Sequence, residues 1–146
     1  MNKTLLLSFV QQKISEKIQK LESLIAETRA SNNDTKSSMG DKYETSREML
    51  QQEINNLQVQ LIEQLKSQQI LKNIPANPHK KIGLGSLVET ENGLFYISIS
   101  LGEIRFEDKK IYIISNESPI AKAMQGKKSG DTFIVNNLTQ RIKNIW

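Results

Sequence analysis

Asn73-Ile74-Pro75-Ala76-Asn77-Pro78-His79 divides the chain into two halves of different periodicity. Two prolines within four residues cannot continue a helix, and each restrains the residue before it to extended backbone. The segment 74–81 therefore reads as a linker between a helical part, 1–73, and a strand-rich part, 82–146. His79, the single histidine, reads as a solvated linker residue.

On the N-terminal side, apolar residues recur at Leu7, Val10, Ile14, Ile18, Leu21 and Ile25, with Thr28 next in the series. Steps of three and four place them on one stripe of a helix. A second series runs Leu50, Ile54, Leu57, Leu61, Leu65 and Leu71, with Gln68 on the same stripe. Neither stretch contains Pro or Gly, and each predicts a helix of about 25 residues, roughly 35–40 Å long. Between them the pattern breaks at Ser31-Asn32-Asn33-Asp34 and again at Ser37-Ser38-Met39-Gly40-Asp41, both rich in turn and cap residues. A short connection makes neighbouring helices antiparallel, so that their stripes bury each other. The same periodicity suits an intermolecular coiled coil. The break around residues 31–46 favours a hairpin within one chain.

On the C-terminal side, strand patterns follow in quick succession: 84–90, then 94–101 after the turn Glu91-Asn92-Gly93, then 110–115, 132–136 and 139–145. One short helix is predicted within the set. Ser118 caps it, Pro119 takes its first position, Ile120 to Gln125 continue it, and Gly126 can end it. The fold class is α+β: an antiparallel helical hairpin followed by a twisted antiparallel sheet against one short helix.

Composition narrows the function. The 146 residues are 37% hydrophobic, lean for one compact globule but suited to a chain with long helices that bury one stripe. The net charge is +4; residues 1–73 carry 10 Lys+Arg against 9 Asp+Glu, and residues 74–146 carry 10 against 7. No dense basic run of the kind an autonomous DNA binder carries is present. Cysteine is absent, which excludes disulfides and thiol catalysis. The run Leu5-Leu6-Leu7 is too short for a signal peptide, and no stretch reaches the roughly 20 apolar residues of a membrane span. A cytoplasmic protein without a membrane partner is expected. No Ser-His-Asp set, phosphate loop or Cys/His cluster is present; Lys127-Lys128-Ser129-Gly130-Asp131 reads as a hairpin turn.

Asp41 and Glu44 are the acids that stand out. Three residues apart at the predicted reversal of the hairpin, they share a helical face. They read either as a capping box or as an incomplete magnesium site, since Mg²⁺ commonly takes one or two protein carboxylates and leaves its other positions to waters or phosphate oxygens.

Gly40-Asp41-x-x-Glu44 resembles the tip motif Gly-Asp-x-x-Glu-Asn of the Gre family of bacterial transcript-cleavage factors. The run from Ile114-Ser115-Asn116-Glu117-Ser118-Pro119-Ile120-Ala121 to Gly126-Lys127-Lys128-Ser129-Gly130-Asp131 is similar to that family's most specific C-terminal segment, and Gly85-Ser86-Leu87-Val88 to its entry strand. The resemblance covers nearly the whole chain. It implies an FKBP-like C-terminal domain that docks at the rim of the RNA polymerase secondary channel. It implies a hairpin that threads the channel, and tip acids that help hold a Mg²⁺ of the polymerase, so that the polymerase cleaves its own backtracked RNA. The chain would have no cofactor of its own. Carried over by position, Asp41 and Glu44 are the metal-assisting acids, and Glu117, Ser118 and Pro119 lie on the docking surface. Lys36, Lys42 and Arg47 are assigned to the nascent RNA 3′ end by charge and position alone. The partners implied are core RNA polymerase and that RNA end, with DNA met only indirectly, by a monomer.

The sequence departs from the family after the tip, where Thr45-Ser46-Arg47-Glu48 stands in place of Asn-Ala-Glu-Tyr, and at Leu101-Gly102-Glu103-Ile104, a loose substitute for Gly-x-x-Glu-Ala-Asp. A regulator of the same shape that occupies the channel without stimulating cleavage is the alternative. A prolyl isomerase is suggested by the FKBP-like fold alone, which does not confer the activity. A dimerising coiled-coil adaptor would need residues 7–71 to pair between chains.

Overall fold

The computed structural model describes residues 1–37 and 44–146; within that range the side chains of 33–37 and of residue 44 lie outside the description. Two helices, α1 (Lys3–Ser37) and α2 (Glu44–Lys72), form a hairpin. Six strands follow: β1 (Leu87–Thr90), β2 (Gly93–Ser98), β3 (Gly102–Phe106), β4 (Lys109–Ser115), β5 (Thr132–Val135) and β6 (Leu138–Ile145). The short helix α3 (Pro119–Met124) sits between β4 and β5. The α+β class read from the sequence is the class observed. Among the described residues, no helix is long and apolar enough to cross a membrane.

The chain forms two compact units, one of residues 11–68 and one of residues 1–10 with 69–146. The helices are longer than their patterns predict, at 35 and 29 residues. Ser31-Asn32-Asn33-Asp34 does not break α1, which continues to Ser37. Turn propensity is worth a few tenths of a kcal/mol per residue, and packing overrides it. Asn32 follows Ile25 and Thr28 at helical spacing and is itself buried. The buried stripe of α1 starts at Leu6, fully buried, and not at the half-buried Leu7; it continues through Val10, Ile14, Ile18 and Ile25. On α2, Ile54 is buried, whereas Leu65 is 42% exposed despite its place in the series.

The sheet order is β3-β4-β2-β1-β6-β5. It is mixed: β2 and β4 run parallel, with Leu94 opposite Ile111 and Tyr96 opposite Ile113, while all other pairs are antiparallel. The cause is β3, which the sequence reading missed. It runs back beside β4 on the outer edge, so β4 re-enters next to β2 in β2's own direction. Its pattern Gly102-Glu103-Ile104-Arg105-Phe106 does alternate, but no glycine marks the turn that follows. Glu107 and Asp108 both take positive φ there (50° and 61°), as a two-residue type I′ hairpin requires. Asn136 and Asn137 (52° and 63°) make the matching turn between β5 and β6.

One face of the sheet holds Val88, Phe95, Ile97, Phe133 and Ile142 against Ala121 and Met124 of α3, with Ile82 closing the cluster. The opposite face carries Leu87, Tyr96, Ile111 and Ile113, also buried. Phe106 shares that face by register, and its ring meets the Phe9 ring of α1 at 5.3 Å. Strand β2 is therefore central and buried on both sides, which explains its nearly continuous apolar run. Ile82 is tied to 126–127 by two bonds, Ile82 N to Lys127 O and Gly126 N to Ile82 O, both 2.9 Å.

Candidate functional site

The segment Ser115–Met124 forms a surface loop and short helix joined by its own hydrogen bonds. Ser115 ends β4. Its carbonyl accepts from the Ser118 amide (3.0 Å) and from the Ser118 hydroxyl (2.7 Å), and its hydroxyl accepts from the Glu117 amide (2.9 Å). The Ser118 hydroxyl in turn accepts from the Ala121 amide at 3.3 Å, capping α3 as its sequence position predicts. Pro119 occupies the first turn, where no amide hydrogen is needed. Ala121 and Met124 anchor the far side of α3 in the core.

This anchoring leaves Glu117 and Pro119 exposed and Ser118 half-buried. Glu117 lies 3.7 Å from Lys122, with both side chains largely in water, so the pair restrains the carboxylate weakly. The loop thus presents one carboxylate and one proline ring to solvent. Asn116, between them and β4, has a buried side-chain oxygen without a hydrogen-bond partner.

The tip residues cannot be assembled in the same way. Asp41 and Lys42 lie outside the described residues. Glu44 opens α2 and Lys36 sits in the last turn of α1, but their side chains also lie outside the description. Arg47, three residues into α2, is half-buried. Among the described residues, no group of three or more His, Asp or Glu side chains could hold a metal ion.

A polar cluster that the sequence reading missed joins the start of α1 to the proline segment. Lys3 is 93% buried, with 7% of its surface exposed. Its ammonium donates to the carbonyls of Asn77 (2.7 Å) and Gly85 (3.0 Å) and lies 3.0 Å from His79 Nδ1. All three ammonium hydrogens have acceptors, which is how a buried lysine with no counter-ion among the described residues is tolerated. Nδ1 can accept only when unprotonated. Burial, and then the Lys3 charge, hold the His79 imidazolium below the usual histidine range; burial likewise lowers Lys3. His79 is therefore a half-buried acceptor and not the solvated residue expected. Only the spacing of proline and histidine was visible in the sequence; the lysine partner lies 76 positions away.

Fold and loop together define an α+β protein in which a helical hairpin precedes a six-stranded sheet bearing a capped surface loop. No protein-family model matches the chain, and no curated protein matches it. Among solved structures it is similar to the crystal structure of GreA factor homolog 1 (Gfh1) protein of Thermus thermophilus, with 18% identity and a TM-score of 0.39 over 93% of this chain and 94% of that one. It is similar to a structure of the transcription factor Gfh1, with 17% identity and a TM-score of 0.39 over 91% and 89%. It is also similar to the crystal structure of Thermus aquaticus Gfh1, with 17% identity and a TM-score of 0.37 over 92% of each chain.

Proposed function

We propose that the chain is a Gre-type transcription factor that binds RNA polymerase at its secondary channel and stimulates cleavage of backtracked RNA. One observation carries the reading. The stretch 114–131, which most resembles the Gre C-terminal segment, forms a self-bonded loop and capped helix that expose Glu117 and Pro119 together. On this reading the loop docks on polymerase, and Asp41 and Glu44 at the connection of α1 to α2 supply carboxylate oxygens to a Mg²⁺ that polymerase holds. The catalytic metal chemistry is then the polymerase's, and the chain is an accessory factor. Lys36, Lys42 and Arg47 neutralise phosphates of the RNA 3′ end.

The test is a backtracked elongation complex incubated with purified protein. Shortened RNA is the expected product. Asp41→Asn with Glu44→Gln abolishes shortening while co-purification with polymerase persists; equal cleavage by the double variant would exclude the tip chemistry. Glu117→Lys with Pro119→Ala loses co-purification. The alternative, a channel-occupying regulator without cleavage, is favoured by Thr45, which stands where the family motif has Asn. It predicts binding and altered pausing with no shortened RNA from the native chain.

A further inference from the structure

We infer that Lys80, Lys81, Lys127 and Lys128 form a single basic surface that binds the phosphate backbone of duplex DNA. The two lysine pairs are 46 positions apart in the sequence. The reciprocal bonds between Ile82 and the Gly126-Lys127 turn lay the two segments side by side. Lys80, Lys81 and Lys128 are exposed and Lys127 is half-buried. Among the described ion pairs, none involves these four; the paired lysines are Lys110 and Lys122. The nearest acid along either segment is Asp131, and one of its oxygens already accepts from the Lys128 amide at 2.9 Å. Along these two segments four lysines thus stand with one partly engaged carboxylate, in a chain whose whole net charge is +4.

The make-up of the surface selects the partner. Protein interfaces concentrate aromatic residues, Met and Arg at their centre and are depleted in Lys. Here the cations are all lysines, flanked by His79, Ile82, Gly126 and Ser129, with Ile82 turned into the core. Along the chain no Phe, Tyr or Trp adjoins either lysine pair to stack an unpaired base, as single-strand binders need. Mobile ammonium groups without base-reading side chains suit the regular phosphate array of a duplex, bound without sequence preference. The surface is invisible to a search for basic runs, because each segment contributes only two lysines. The inference stands whether or not the chain binds polymerase.

Fluorescence anisotropy of a labelled 20-base-pair duplex of arbitrary sequence, titrated with the full chain at several salt concentrations, tests it. Neutralising four phosphates gives a log–log salt slope of about −3.6, so affinity falls about 100-fold from about 50 to 200 mM salt. Replacing all four lysines by glutamine removes that slope and weakens binding at low salt at least tenfold. A control that removes the same charge elsewhere, Lys72→Gln, Arg105→Gln, Lys109→Gln and Lys110→Gln, keeps most of the affinity. Equal weakening by the control shows an effect of net charge alone and overturns the assignment. So does a single strand or a polyglutamate of equal length that binds more tightly than the duplex.

Discussion

The ammonium of Lys3 and Nδ1 of His79 lie 3.0 Å apart, although 76 positions separate them in the chain. Together with the Asn77 and Gly85 carbonyls they lock the first turn of α1 to the segment before β1. Lys3→Met leaves those carbonyls without their donor and is expected to destabilise the fold by about 1–3 kcal/mol. Urea unfolding measures it, and a change within error would show that the cluster contributes nothing net.

The same pair sets a pH dependence. The His79 pKa is lowered in the folded chain, by burial first and then by Lys3, so the unfolded chain binds the extra proton. Its contribution to stability is complete above the unfolded value of 6.5 and is lost as pH falls through the lower folded value. Wild-type unfolding midpoints should therefore drop more steeply between pH 7.5 and 5 than those of His79→Gln. Parallel curves would contradict the contact.

Gly85 supplies one of the Lys3 acceptors and sits at φ +91°, a conformation other residues rarely adopt. A Cβ there would lie 3.0 Å from the Pro75 carbonyl oxygen and 3.1 Å from an Ile74 methyl. Gly85→Ala is expected to cost about 1–3 kcal/mol from backbone strain and crowding. Thermal melts of the alanine variant provide the check.

Tyr96 is buried in the centre of β2, and burial raises its phenol to about 12. Alkaline titration followed by tyrosinate absorbance should contain a step near pH 12 that Tyr96→Phe lacks. Because the folded value is the higher one, the phenol's contribution to stability is intact below 10 and disappears as pH rises through 12.

Leu6 and Leu7 are neighbours in sequence with different burial, Leu6 being wholly enclosed and Leu7 partly open. Leu6→Ala is expected to cost about 2–5 kcal/mol and Leu7→Ala less than half of that. Equal losses in denaturant melts would place the buried stripe one residue later, where the three-and-four spacing alone puts it.

Much of the architecture was legible because it depends on short-range chemistry. The heptad-like spacing, the paired prolines and the Ser118-Pro119 cap each act within about a turn of chain, and each predicted helix and strand is present. Strand β3 was not legible, since Glu107 and Asp108 enter the left-handed region without glycine only because the flanking strands pair. Nor was the continuation of α1 past Ser31, where burial of Asn32 outweighs the local preference for a turn.

The candidate site divides along the same line. From residues alone came the acids at the predicted reversal, the Ser118 cap of α3 and the α+β class, because capping and periodicity are local properties. Tertiary structure alone decided that β4 lies parallel to β2, that Lys3 meets His79, and that Ile82 pairs with the Gly126-Lys127 turn. Those relationships join residues tens of positions apart. They exist only once burial of the apolar faces has offset the entropy of bringing distant segments together.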